Sequence, residues 1–444
     1  MRIIKLARLI ALPTLFLWIC TGTGCKTKTP MKKFYQESLI GFLNKNLNEA
    51  IIQDGFSPPV ASRIYAYVNL AAYEGYFHGS RDRLQLNGVL NGFEPNYLLP
   101  ETDTDPELVM FTAFYSTAME LVYRDFIVEE KIIVHRSYYQ SILSEKVFDT
   151  SESLGKSIAD EILKYANKDM YKETRSYPLH TLSGKAGSWE PTPPYYGTPI
   201  EPYWGIIRPF LTVDKGAFSV EPNTPFDTLP GSDFYILNER VYKMVNEAGS
   251  KEKDIAMYWD GDPMPAKRIK RVSVIKRQLN PVGHWLAITT MLCERANLGE
   301  GFCVTTMLRA SLATADAMII GWKNKYEYDV IRPHTYINRY IDEHWNPILA
   351  TPLFPEYPSG HSVLAGAFSG VLIEIFGDTV AFTDSSQIRF GFQPRSFESI
   401  SQAAAECANS RIYGGVHYEP AVVTGVASGR KVANYHGMQL KKFK

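Results

Sequence analysis

Cysteine is scarce in this 444-residue chain: there are five. Cys20 and Cys25 fall in the first 25 residues, and Cys293, Cys303 and Cys407 contain no C-x-x-C pair, so neither a disulfide framework nor a zinc site is indicated. A Cys293 to Cys303 bridge could form in an oxidising compartment, but core thiols are the first reading. Net charge is lacking as well. Lys+Arg and Asp+Glu both number 47, which removes the overall electrostatic basis for binding nucleic acid or an acidic surface. Any anion site must therefore be local. Strict alternation of apolar and polar residues is nearly absent, so strands are not signalled. There is no evident internal repeat, and beyond the N-terminus no segment reads as apolar enough to cross a bilayer.

Met1-Arg2, an apolar stretch from Leu6 to Cys20 and small residues before Cys25 have the three regions of a secretory signal. The Gly22-Thr23-Gly24-Cys25 ending resembles a lipoprotein cleavage site, with Gly22 where a Leu is usual. The expectation is an exported protein, periplasmic, held to the outer membrane by a lipid on Cys25, or secreted.

Apolar residues then recur at three- and four-residue steps over Phe34 to Ile51, Ser57 to Phe77, Leu108 to Ile127, Glu130 to Glu145 and Ser153 to Lys168, which predicts helices. The pattern returns over 233–246, 252–259, 282–295, 303–326, 362–376, 401–413 and 420–435. Between them, residues 176–231 carry ten prolines together with Trp189 and Trp204, which excludes long helices. The expected architecture is all-α: two halves resembling four-helix bundles, residues 26–175 and 232–444, joined by a Pro- and aromatic-rich strap that packs onto the protein, with a lid as the lesser option.

Chemistry concentrates near the C-terminus. Lys325 and Arg332 stand seven residues apart, about two helical turns, and Pro333 disfavours helix at Arg332, so that residue leaves the helix and points back. Pro358-Ser359-Gly360-His361-Ser362 opens an amphipathic run that ends at Gly377. A helix N-terminus offers unpaired N–H groups, Gly360 permits close backbone approach and Ser359 adds a hydroxyl, which together suit a tetrahedral oxyanion. In Ser410-Arg411 through His417, a Gly pair ends one helix and lets the His face inward. Arg supplies a planar fork of donors, and a neutral imidazole can act as nucleophile or metal ligand. Taken singly, each piece also reads as ordinary structure: a solvated helix end, a capped helix, a core histidine.

Jointly, Lys-x6-Arg-Pro, Pro-Ser-Gly-His and Ser-Arg-x5-His over 93 residues resemble the superfamily of type 2 phosphatidic acid phosphatases, bacterial acid phosphatases and vanadium haloperoxidases. The chain is most similar to the bacterial vanadium-dependent bromo-, chloro- and iodoperoxidases, and the Trp189 to Pro194 segment and Trp204 extend the likeness beyond the motifs. The resemblance implies one vanadate per chain, a site phosphate can also occupy. It implies that Lys325, Arg332 and Arg411 hold the oxyanion with help from Ser359 and the Gly360 N–H. His417 is then the metal ligand and His361 the acid-base residue, while Lys325 polarises the peroxide. Hydrogen peroxide, a halide and small organic acceptors of the halogen are the implied partners. Iodide or bromide is favoured over chloride, nucleic acid is not a partner, the membrane is reached only through the lipid, and a homo-oligomer is the family habit. Trp322 and Phe354 are candidates for the halide pocket, with aromatic core packing as the alternative.

The phosphatases place an Asp four residues after the motif His, where this chain has Ala421. Its absence counts against the alternative activity, an acid phosphatase working through a phosphohistidine, because a carboxylate raises the basicity of such a His. It also leaves His417 to be oriented by Glu419 or a backbone carbonyl. A surface lipoprotein that binds an oxyanion without turnover is the third reading. Ala421, Gly425 and Gly429 form a small-residue stripe that suggests close helix packing, and His284 reads as structural.

Overall fold

The computed structural model describes residues 38–80, 86–97, 99–193, 196–212, 214–222, 224–261, 267–269, 272–274 and 278–441. The leader with Cys20 and Cys25, and positions 34–37 of the first predicted helix, lie outside them. Among the described residues, fourteen α-helices carry the fold. The N-terminal part contains α1 (Leu39–Asp54), α2 (Pro58–Gly79), α3 (Pro106–Leu121), α4 (Asp125–Ile142), α5 (Glu145–Ala166) and the short α6 (Tyr171–Thr174). After the strap come α7 (Asp233–Glu247), α8 (Ser250–Tyr258), α9 (Pro281–Ala296), α10 (Glu300–Tyr328), α11 (Pro333–Tyr340), α12 (Gly360–Phe376), α13 (Ile400–Tyr413) and α14 (Glu419–Lys441).

The packing explains the order. α2, α3 and α5 pack together, α12 lies along α14 and α13, and α10 sits between the groups, touching α2, α9, α12 and α14. One buried apolar cluster runs through these helices without interruption. α10 is long and apolar enough to span a membrane, contrary to the sequence expectation, but 89 % of its most apolar window is buried inside the protein. It is a core helix. The small-residue stripe does set the α12 to α14 contact: a Cβ on Gly429 would fall 2.0 Å from the Val363 carbonyl oxygen, and one on Gly425 would fall 2.7 Å from Ser362 Cβ.

Three local expectations are corrected. The predicted helix from Leu108 to Ile127 is broken after Leu121, because the Asp54 carboxylate accepts from the backbone N–H of Tyr123 at 2.8 Å and of Arg124 at 3.3 Å and holds the chain out of the helix. α11 was not anticipated; it follows from Pro333, whose fixed φ suits a first helical turn. Among the described residues there are two antiparallel strand pairs, β1 (Lys267–Ile269) with β2 (Val272–Val274) and β3 (Phe382–Asp384) with β4 (Arg395–Phe397). Three-residue strands are too short to show a period.

Among the described residues no α-helix occurs between Thr174 and Asp233, and the strap is pinned along its length. Its backbone donates from Trp189 to the Asp329 carbonyl and from Ile200 to the Leu353 carbonyl, both at 2.9 Å. Fully buried Asp316 on α10 gathers the N–H groups of Phe210, Leu211 and Thr212 at 2.6, 2.9 and 3.0 Å, and also meets His436 of α14 at 2.9 Å. A buried carboxylate with this many donors satisfies otherwise orphaned loop amides and ties the strap to the C-terminal helices.

Candidate active site

α10 ends at Tyr328 because Asp329 takes a left-handed conformation, and Pro333 keeps Arg332 extended at φ −80°, ψ 151°. Arg332 therefore turns back under the end of α10, as its neighbour predicts. Its Nε donates to the Phe354 carbonyl at 3.0 Å and Nη1 to the Val416 carbonyl at 2.7 Å, while Nη2 is buried without a partner. Arg411, in the last turn of α13, spends Nη1 on the Asp260 carboxylate at 3.1 Å and leaves Nε buried and unpaired. Ser359 caps α12; its oxygen accepts from the hydroxyl of Ser362 at 2.9 Å, and its own O–H stays available. Gly360 is held close to Trp322, since a Cβ there would meet Trp322 Cζ3 at 3.2 Å.

Buried N–H groups without acceptors are costly, so two unpaired guanidinium nitrogens beside a helix N-terminus are the signature of a receptor for an oxyanion. The residues present fit vanadate: planar forks for its oxygens, a capping hydroxyl and one imidazole.

His417 is buried, and its tautomer is set from both sides. Arg332 Nη1 lies 3.1 Å from Nε2 and can only donate, so Nε2 carries the lone pair and the ring proton sits on Nδ1, which donates to Glu356 Oε1 at 2.7 Å. Burial, then Arg332, Lys325 and Arg411, hold the imidazole well below its ordinary range and neutral. The orienting partner is thus Glu356, which replaces both sequence candidates. Glu419 instead lies at the surface, 3.3 Å from Arg240. Glu356 Oε1 also accepts from the Tyr418 N–H at 3.0 Å, and burial, opposed by Arg332 and Lys325, pushes its carboxyl up to about 7. Since a carboxylate is present after all, Ala421 does not argue against phosphohistidine chemistry.

His361 reaches the cavity floor. Its Nε2 donates to the Asp260 carbonyl at 2.9 Å, leaving Nδ1 as the acceptor of the neutral ring. Burial, followed by Arg411, drives it well below the ordinary value. Lys325 is fully buried, and its Nζ donates to the carbonyls of Pro355, Glu356 and Pro358 at 3.0, 3.1 and 2.5 Å. Three carbonyl acceptors require three N–H groups, hence the ammonium form, even though burial and the two arginines press its pKa far down. Lys325 is brought to the site, but as it stands it holds the 355–358 loop, and it must exchange one carbonyl to reach an anion. Trp322 and Phe354 lie beside it, with ring centroids 5.0 Å apart and Nζ 4.9 Å from the centre of Phe354.

A cavity of about 680 Å³ opens above this cluster and ends on Gly360, His361 and Arg411. Lys325, Arg332, Ser359 and His417 lie behind them at 1 % exposure or less. Its walls come from the α1–α2 turn and from the strap, including Tyr177, His180 and Tyr203. His284 pairs with Asp384 at 2.6 Å and stacks on Trp259.

Solved structures decide the family. A bacterial vanadium-dependent iodoperoxidase aligns over 90 % of this chain and 96 % of its own at 35 % identity with a TM-score of 0.84. The chain belongs to the vanadium-dependent haloperoxidases. Residues 305–443 also match the family model of the VCPO second helical-bundle domain, a span that holds every site residue picked out from the sequence but not Asp260 or the strap. A bacterial vanadium-dependent chloroperoxidase has the same fold, with 15 % identity and TM-scores of 0.63 in the holo form, over 88 % of this chain and 94 % of that one, and 0.64 in the apo form, over 88 % and 95 %. No curated protein matches the sequence. The enzyme class, the helical fold and the implied vanadate cofactor therefore stand. Sequence reasoning missed Glu356 and Asp260. Glu356 had a usable signal, five residues before His361 in the same loop, whereas Asp260 precedes a segment with no motif.

Proposed function

We propose that this haloperoxidase uses hydrogen peroxide to oxidise iodide or bromide, in preference to chloride, to hypohalous acid. Vanadate, when bound, supplies a Lewis-acidic centre at which peroxide is activated. In this reading Arg332 Nη2, Arg411 Nε, the Ser359 hydroxyl and the Gly360 N–H would hold its oxygens, His417 Nε2, once it gives up the hydrogen bond from Arg332 Nη1, would be its ligand, and His361 Nδ1 would take a proton. The observation that carries the reading is the pair of buried, unpaired guanidinium nitrogens beside a His417 whose lone pair is fixed on Nε2. The solved relative described as an iodoperoxidase supports the larger halides. So does the aromatic wall of Trp322 and Phe354, because a smaller anion loses more hydration on entering such a wall. Export with a lipid on Cys25 is part of the same proposal and rests on the leader.

The test is a paired assay on metal-free protein: peroxide-dependent oxidation of each halide, and phosphate-ester hydrolysis, with and without orthovanadate. Halide oxidation that requires vanadate and is lost in His417→Ala supports the reading. Phosphate release that vanadate inhibits, without halide oxidation, overturns it in favour of the phosphatase.

A further inference from the structure

We propose that Tyr177, on the strap, is halogenated by the enzyme's own product; this rests on the iodide oxidation proposed above. Hypoiodous acid formed at the cavity floor must leave through about 680 Å³ whose wall includes phenol rings. Tyr177 is 40 % exposed and lines this space. Its neighbour Tyr203 meets it edge-on at 5.0 Å but commits its hydroxyl to the Pro178 carbonyl at 2.8 Å and is less exposed, so Tyr177 presents a more open ring than Tyr203; Tyr123, 75 % exposed, lines the same cavity and meets the same reagent. The step balances. Peroxide takes two electrons from iodide and one proton from solvent, giving hypoiodous acid and water. A ring carbon beside the phenol oxygen then attacks iodine, the O–I and ring C–H bonds break, a C–I bond forms, and the ring proton leaves with hydroxide as water. The mark adds a bulky, polarisable atom to the wall that the acceptor must pass.

The molecule contains its own controls. Tyr340 is also 40 % exposed and Tyr196 is 67 % exposed, yet neither lines the cavity. The vanadate-loaded full chain is given iodide and limiting peroxide, quenched, and digested with trypsin; the Ser176–Lys185 peptide holds Tyr177 as its only tyrosine. At low conversion we expect roughly fivefold more iodine on Tyr177 than on Tyr340, a local-concentration effect. Protein treated with hypoiodite added from bulk should show no such excess, and Tyr177→Phe should remove the mark and exclude His180 as its bearer. Equal labelling of Tyr177 and Tyr340 under turnover overturns the proposal. Triiodide formation with Tyr177 unmodified also overturns it and leaves the haloperoxidase reading intact, whereas absence of triiodide removes the reading beneath both.

Discussion

Replacing Arg411 with Lys isolates what the guanidinium fork contributes. Arg411 sets Nη1 on Asp260 at 3.1 Å and keeps Nε buried without a partner, the nitrogen assigned above to the oxyanion. A lysine keeps the charge but has a single nitrogen, so it can face Asp260 or the oxyanion and not both. One charge-assisted hydrogen bond, about 1.5–3 kcal/mol, is lost, which weakens orthovanadate binding about 10- to 150-fold. Titration calorimetry on metal-free protein measures this directly, with phosphate as a mimic of the same shape. A second readout is thermal: ligand at one hundred times Kd stabilises the wild-type fold by about 2.7 kcal/mol. With an unfolding entropy near 2.1 cal/mol/K per residue over about 400 residues, that amounts to roughly 3 °C in Tm. An Arg411→Lys protein that binds vanadate within twofold of wild type would refute the assignment of Nε to the oxyanion.

Glu356→Gln retains an oxygen to accept from His417 Nδ1 and the Tyr418 N–H, whereas Glu356→Ala retains none, so dialysis should show vanadate affinity about 10- to 100-fold lower in the alanine variant than in the glutamine one; equal affinities would remove Glu356 as the orienting group. Gly429→Ala drives a Cβ toward the Val363 carbonyl and should cost about 3 kcal/mol, roughly 3–4 °C in Tm, while Gly321→Ala, whose Cβ meets nothing nearer than 3.5 Å, should leave Tm unchanged or slightly raised. Asp384 is buried, which alone would raise its pKa, but His284 and Ser386 prevail and bring it down to about 2. A depressed carboxyl stabilises the fold above the unfolded pKa near 4 and loses that contribution as pH falls through 2, so urea unfolding should show the advantage of wild type over Asp384→Asn shrinking by roughly 2 kcal/mol between pH 5 and pH 2. A pH-independent difference would contradict the shift.

The helical class, the helix-starting loop at Ser359-Gly360 and the backward turn of Arg332 were legible in the sequence, because each follows from local rules: a 3.6-residue period, a cap, the restriction that Pro333 imposes on its neighbour. The ordered motifs also marked Lys325, Arg411, His361 and His417, since oxyanion chemistry needs those residue types whatever the fold. What pairs with what was decided only in three dimensions. His417 is oriented by Glu356, 61 residues earlier, and not by its neighbour Glu419, because the turn after α13 points the imidazole inward while Glu419 starts α14 on the solvent side. Asp54 breaks a helix 70 residues away, and Asp316 collects amides about a hundred residues back along the chain. A carboxylate's partner is set by which unpaired N–H groups packing brings within 3 Å, and that depends on where helices cross, a property no local pattern encodes.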